Sequence, residues 1–95
     1  MNYITVEMLR SSVEAMPDQF DSHAVIRHIM RTWPQLYVHE LYSRERLPDP
    51  IMATHAEIGR ALARLGSLEK TDRVESRNVR GEFDTENQGW KKPKP

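Results

Sequence analysis

Apolar residues in the first half of the chain recur at the spacing of amphipathic helices. Thr5 is a candidate N-cap, and one helical face follows it: Val6, Leu9, Val13 and Met16. Asp21 or Ser22 caps a second helix with a paired apolar stripe: Val25, Ile26, Ile29 and Met30. A third helix begins at Pro34, since proline suits a first turn, and its apolar face is Leu36, Tyr37 and Leu41. The pattern predicts helices over 5–16, 22–32 and 34–43.

A fourth helix is predicted over 54–65. Thr54 and Glu57 have the spacing of a capping box, in which each side chain binds a backbone amide of the other. Apolar residues continue at helical spacing up to a glycine: Ile58, Ala61, Leu62 and Leu65. Gly59 in the helix interior costs about 1 kcal/mol relative to alanine, which predicts that another element crosses closely there.

A proline-rich stretch separates the third helix from the fourth. Residues 44–53 contain Pro48-Asp49-Pro50, and proline neither continues a helix nor donates to a sheet. The stretch is therefore predicted to be a connecting loop of about ten residues, longer than the turn of a tight helix-turn-helix.

After Gly66 the pattern changes to the alternation of a strand. Residues 68–74 and 88–91 are candidate strands, and the polar stretch 75–87 between them is predicted to be a long tip. The hairpin is expected to span about 68–92. The fold class is therefore mainly α with a C-terminal β-hairpin, an α+β arrangement.

Length and composition indicate one small domain. A chain of 95 residues with 38% hydrophobic residues fills one modest core. The domain is assigned to 1–92, with 1–16 as an additional N-terminal helix and 93–95 as a disordered basic tail. The absence of cysteine excludes disulfides and thiolate sites, and no leader or long apolar run occurs. We therefore expect a cytoplasmic protein that does not enter membranes.

The charges of the chain balance, with 14 basic and 14 acidic residues. Attraction of the whole protein to polyanions is therefore absent, and nucleic-acid binding depends on local asymmetry. Residues 1–50 hold five basic and seven acidic side chains, a net of −2, whereas 51–95 hold nine and seven, a net of +2. The C-terminal part is the side expected to face a polyanion.

The run Ala56-Glu57-Ile58-Gly59-Arg60-Ala61-Leu62-Ala63-Arg64-Leu65-Gly66 is followed by a basic hairpin that ends in Gly89-Trp90-Lys91. In this pattern the stretch from about Pro34 to Lys92 resembles winged helix-turn-helix modules of phage and plasmid replication, primase-type and regulatory proteins. The resemblance implies that helix 54–65 is the recognition helix and that the hairpin is the wing.

The resemblance also implies where DNA contacts lie. They fall on the recognition helix, the wing and the tail: His55, Arg60, Arg64, Arg73, Arg77, Asn78, Arg80, Lys91, Lys92 and Lys94. Arginine can pair with guanine, and arginine or lysine can hold phosphate. Arg60 and Arg64 are one helical turn apart, so they are predicted to share a face.

The same arginines also fit a solvated surface. Glu57 is spaced to pair with Arg60 or Arg64. Acidic residues are interleaved with the wing arginines and lower the field that a phosphate would feel: Asp72, Glu75 and Glu82. Both interpretations stand at the level of the sequence.

Trp33, Tyr37 and Tyr42 are predicted to build the core, the alternative being base stacking. Trp90 is predicted to pack onto the fourth helix and pin the hairpin, the alternative being an exposed binding anchor.

The histidines do not predict a metal site. His23 and His28 are five residues apart and diverge on a helix, and no His-Glu-x-x-His motif occurs. Because no nucleophile or phosphate-loop motif is present either, no enzymatic activity, cofactor or metal is expected.

The sequence thus favours a DNA-binding protein, a transcriptional regulator or replication accessory factor of a phage-like or bacterial system. The alternative is a protein-interaction module that binds no nucleic acid, which the neutral net charge favours. The expected partner is double-stranded DNA or a protein, with homodimerisation through the first helix as a further option.

Overall fold

The computed structural model describes residues 1–80 and 84–93. In these residues four α-helices and three β-strands follow in chain order: α1 (Val6–Glu14), β1 (Gln19–Asp21), α2 (Ser22–Thr32), α3 (Pro34–Tyr42), α4 (Pro50–Arg64), β2 (Glu69–Arg77) and β3 (Asp84–Lys91). The strands form an antiparallel sheet in the order β1-β3-β2. The α+β class with a C-terminal hairpin is therefore confirmed. Across the described ranges, no helix combines the length and apolar character that crossing a membrane requires.

The first three helices begin where their sequence signals place them. The Thr5 hydroxyl accepts a hydrogen bond from the Met8 amide at 3.2 Å. Asp21 caps α2 by accepting from the Ala24 amide at 2.9 Å, and Pro34 lies in the first turn of α3. Because capping is local, the predicted bounds of these helices are confirmed to within two residues at each end.

The predicted start of α4 is wrong. The helix begins at Pro50, and Asp49 is its N-cap, with the carboxylate accepting from the Met52 amide at 3.0 Å. The last four residues of the predicted loop are therefore helical. Proline ends a preceding segment, but its backbone angle also suits the first turn of a helix. Pro50 acts in the second way and begins α4. Thr54 is not a cap but a fully buried residue inside the helix.

The predicted close crossing at Gly59 is also wrong. A Cβ atom built on Gly59 meets no atom within 4 Å. The close approach lies instead at Gly89 of β3, where a Cβ atom would collide with Thr71 Oγ1 and lie 2.7 Å from the Asp72 carbonyl oxygen. A bulge in β2 between Lys70 and Arg73 brings this backbone over Gly89.

The hairpin strands are longer than predicted. Pairing of β2 with β3 continues through Glu75 opposite Glu86 to Arg77 opposite Asp84, so most of the predicted tip is strand. Polar side chains are compatible with strands that stay in contact with water. Here the backbone pairing of β2 with β3 outweighs the tendency of these residues to form turns. The third strand, β1, was not predicted, because only three residues pair with β3.

The core is formed by apolar side chains from all four helices, from β3 and from the segment before α1. Its most buried members include Leu9, Val25, Ile29, Ile58, Leu62 and Trp90. Trp90 is 2% exposed, and its indole Nε1 donates to Ser22 Oγ at 2.9 Å. Trp90 is therefore buried rather than an exposed anchor, and the contact that its indole makes is with the first turn of α2, where the sequence predicted packing onto the fourth helix.

The three aromatic residues near α3 differ in burial. Tyr37 belongs to the core, and Trp33 packs against it as a half-buried residue. Tyr42 is 68% exposed, so its assignment to the core is wrong. Five helical residues place Tyr42 about 140° around the axis from Tyr37, away from the face that α3 turns inward.

Some predictions fall outside the residues that the structure describes. These are the wing residues Glu82 and Phe83 and the last two residues of the tail, including Lys94.

Candidate nucleic-acid interface

A concave surface separates α4 from the C-terminal hairpin, and we call it the hairpin groove. It has a volume of about 400 Å³, and its α4 wall consists of Met52, His55, Ala56, Gly59, Arg60 and Ala63. The opposite wall belongs to β2 and β3 and carries the charged residues Lys70, Arg73 and Glu86, and α2 contributes Ser22, His23 and Ile26. Predicted site residues of α4 and of the hairpin therefore border one groove.

The outer face of α4 is built mainly of small residues. Ala56, Gly59 and Ala63 line the hairpin groove because Ile58 and Leu62 take the opposite, buried face. Small side chains allow a partner to approach the helix backbone closely. Long side chains reach the groove at only a few positions on this face.

Arg60 lies on the rim of the groove and is paired with an acid. Its guanidinium is 2.6 Å from Glu57 Oε2, and the side chain remains 62% exposed. The hydrogen bond from Arg60 outweighs burial and lowers the pKa of Glu57. A pair of this kind on a helix surface contributes only about 0.2–0.5 kcal/mol, so another anion can displace the carboxylate.

Arg64 does not line the hairpin groove with Arg60, although both guanidiniums face Glu57. It lines a separate depression between α4 and α1, with Nη2 4.0 Å from Glu57 Oε1. Four residues turn a helix only about 40° beyond a full turn, so the two arginines stay on one side of α4, as the sequence predicts, while Arg64 also borders α1.

His55 borders the groove but is engaged with α3. Its Nε2 lies 2.6 Å from the Tyr37 hydroxyl. Burial, assisted by the nearby Arg80 guanidinium, lowers the pKa of His55 to about 4. The imidazole is therefore neutral at pH 7 and links α3 to α4, rather than being free to contact a base.

Arg73 and Arg77 face acids across the hairpin. Arg73 Nε lies 3.7 Å from Glu86 Oε2, and Arg77 Nε lies 3.7 Å from Asp84 Oδ1. The sequence suggested neighbouring acids within β2, but the ion pairs form with β3. All four side chains are more than half exposed, so water screens these pairs and they contribute at most about 1 kcal/mol each.

Arg80 folds back from the hairpin to the start of α4. Its Nη2 lies 2.7 Å from Asp49 Oδ1, and its backbone amide donates to Asn78 Oδ1 at 2.8 Å. Hydrogen bonding from the Met52 amide, followed by the charge of Arg80, lowers the pKa of Asp49. Arg80 and Asn78 thus fasten the hairpin to the helix N-terminus instead of extending from the wing.

The basic residues at the end of β3 lie outside the groove. Lys92 Nζ donates to the Met16 carbonyl at 2.6 Å and to the Glu14 carbonyl at 3.3 Å, so it holds the segment after α1. Lys91 is paired in the sheet opposite Gln19 and Glu69 and is absent from the groove lining.

Lys70 lines the groove but was not predicted as a site residue. Residues three apart on a regular strand point to opposite faces, which separates Lys70 from Arg73 in a sequence pattern. The bulge between them brings both to the groove. No local sequence signal marks the bulge. Within the described part of the chain, the Lys70 ammonium has no ion-pair partner.

Among the described residues, no three histidine or acidic side chains converge in a way that could hold a metal ion. Comparisons with protein-family models, with curated proteins and with solved structures gave no match to the chain.

Proposed function

We propose that this chain binds double-stranded DNA as a winged-helix protein, with α4 as the recognition helix and the β2–β3 hairpin as the wing. The observation that carries the proposal is the hairpin groove, which α4 and the hairpin line together with three residues of α2. The sheet order β1-β3-β2 behind the helices and the sequence resemblance support the same assignment. The implied role is transcriptional regulation or assistance to replication in a phage-like or bacterial system.

The composition of α4 suits insertion into a DNA groove. An α-helix fits the major groove, and the small residues Ala56, Gly59 and Ala63 let its backbone come close to base edges. Arg60 supplies the long donor that can pair with guanine. The methyl groups of the alanines can contact thymine methyl groups.

The hairpin supplies the phosphate contacts. Lys70 and Arg73 line the groove, and Arg77 follows along β2. The carboxylates that face the two arginines are held by screened pairs, so a phosphate can replace them at small cost. Because the net charge of the chain is zero, binding depends on these few contacts. The affinity should therefore fall only slowly with salt. Each phosphate contacted adds about −0.9 to the slope of log K against log salt concentration.

Fluorescence anisotropy with a labelled duplex of mixed sequence tests the proposal. Wild type should bind at low salt, and the double variant Lys70→Ala, Arg73→Ala should bind more weakly with a flatter salt slope. Arg46→Ala is the matched control, because this exposed arginine lies between α3 and α4 and away from the groove lining. A wild type that binds no duplex at low salt would overturn the proposal.

Protein docking without DNA is the second candidate function. It is favoured by one specific observation, that Arg73, Arg77 and Arg80 each already face a carboxylate. A hairpin neutralised in this way attracts polyanions weakly. The duplex titration separates the two candidates.

A further inference from the structure

A second concave surface runs between α1 and the C-terminal end of α4, and we call it the α1 groove. It consists of two adjoining depressions of about 390 and 360 Å³ that share Arg10 and Leu65. Neither depression includes a residue of the hairpin groove. The α1 groove is therefore a surface that the proposed DNA contacts do not use.

The floor of the α1 groove is apolar. Ile4 and Leu9 come from the core, and Val13, Leu65 and Leu68 are half-buried at its surface. Val13, Leu65 and Leu68 form an apolar strip that stays partly in contact with water above the two buried side chains.

Val6 shows that α1 has more apolar surface than the core covers. It lies at the start of the apolar face read from the sequence, yet it is 47% exposed. Met8, outside that predicted face, is buried in its place. The helix is rotated so that one edge of its apolar face borders the groove.

The rim of the α1 groove is positively charged. The charged residues lining it are Arg10, Arg64, Lys92 and Glu14. The Arg10 guanidinium makes no hydrogen bond or ion pair with the residues described, whereas Lys92 is directed to carbonyl groups of the chain. Three cations and one acid thus line the groove, and of the cations Arg64 also faces Glu57 at 4.0 Å while Arg10 is available to a partner.

We propose that the α1 groove docks an acidic amphipathic segment of a partner protein. An amphipathic helix places apolar anchors at i, i+3 or i+4, and i+7 into such a groove, and flanking carboxylates can reach Arg10 and Arg64. A second copy of this chain is a poorer occupant, because two α1 grooves face to face would bring their cations together.

A designed helical peptide of about 15 residues, with leucine anchors flanked by glutamates, is the probe. Its matched control carries lysines in place of the glutamates. The fluorescein-labelled glutamate peptide should bind wild type, and the lysine peptide should bind at least about tenfold more weakly. The double variant Arg10→Ala, Arg64→Ala should lose about tenfold in affinity for the glutamate peptide.

Val6→Asp tests the floor of the groove. It removes apolar surface and adds repulsion toward the probe, while an acidic residue in the first turn is favourable for α1 itself. The matched control is Val38→Asp on α3, where the valine is 59% exposed. Only Val6→Asp should weaken peptide binding. Circular dichroism confirms that both variants keep their helix content.

Several results would overturn the docking proposal, and the first two leave the DNA proposal untouched. One is equal binding of both peptides, or none by the glutamate peptide. Another is a dimer in sedimentation that Val6→Asp dissolves, which would make the groove a self-interface. A third is duplex binding that the Arg10→Ala, Arg64→Ala variant loses and Arg60→Ala keeps, which would assign this groove to DNA.

Discussion

Arg44 Nη1 lies 2.6 Å from Oε2 of Glu40, whose side chain is fully buried. The other carboxylate oxygen of Glu40 accepts hydrogen bonds from the backbone amides of Tyr3 and Ile4, at 2.8 and 2.9 Å. This one side chain therefore fastens the segment before α1 to α3. Burial alone would raise the pKa of Glu40, but the hydrogen bonds from Ile4 and Arg44 outweigh it and lower the pKa.

Glu40→Gln should destabilise the domain by about 1–3 kcal/mol, since it removes a charge that Arg44 and two amides satisfy. Unfolded Glu40 titrates near 4.5, above its folded pKa. The contribution of Glu40 is therefore complete above pH 4.5 and declines as the pH falls toward the folded pKa. Urea midpoints between pH 7 and pH 3 measure it. The exposed Glu45→Gln is the control, and an equal loss there would contradict a specific role for Glu40.

Thr54→Val should stabilise the domain by about 1 kcal/mol. Thr54 Oγ1 is buried, and within the described chain it has no hydrogen-bond partner. Valine keeps the shape and removes the unpaired hydroxyl. Thr54→Ala should instead lose stability through a cavity. If Thr54 were the helix cap, both variants would lower the denaturation midpoint alike, whereas Asp49→Ala should lower it because Asp49 is the actual cap.

Features set by local signals could be predicted from the sequence, and features set by tertiary contacts could not. Caps such as Thr5 and Asp21 act over three residues, so they can be identified without the fold. Pro50 is ambiguous locally, because proline both ends one segment and begins another. The strand β1 exists only through its pairing with β3.

The sequence could predict which candidate site residues lie on α4, but not which depression each side chain borders. The exposure of Arg60 follows from the apolar stripe of α4. The position of Arg64 beside a second depression depends on where α1 packs, and the groove position of Lys70 depends on a bulge. The partners of the hairpin arginines were missed because the register of β2 with β3 fixes them.

Two glycines should respond in opposite ways to alanine. Gly59→Ala fills empty space in a helix interior and should stabilise the domain by about 0.5–1 kcal/mol. Gly89→Ala places a methyl group against Thr71 and the backbone of Asp72, so it should lower the midpoint and disturb the hairpin. Thermal denaturation compares the two variants. A Gly89→Ala protein as stable as wild type would show that the bulge yields at little cost.

Stability should also decline with acid through His55. Its folded pKa of about 4 is below the ordinary 6.5, so the unfolded chain takes up a proton that the folded state does not. Stability is therefore lost as the pH falls from 6.5 to 4, on the order of 1–2 kcal/mol after solvent screening. The difference between wild type and His55→Gln in this window isolates the effect, and parallel pH profiles would refute it.

Removing the acid that faces Arg60 should strengthen DNA binding. Glu57 lies 2.6 Å from Arg60 and 4.0 Å from Arg64, and it competes with DNA for the first of these arginines. Glu57→Gln should therefore tighten duplex binding by about twofold at low salt, since a pair of this kind on a helix surface is worth about 0.2–0.5 kcal/mol.

Arg60 and Arg64 line different depressions, so their alanine variants should differ in DNA binding. Arg60→Ala should weaken specific duplex binding by about 1–3 kcal/mol if it reads a base, whereas Arg64→Ala should leave binding unchanged because Arg64 faces α1. Anisotropy titrations of the three variants against one duplex measure both effects. If Arg64→Ala weakened binding as much as Arg60→Ala, DNA would contact the α1 side of α4, and the hairpin groove would not be the binding surface.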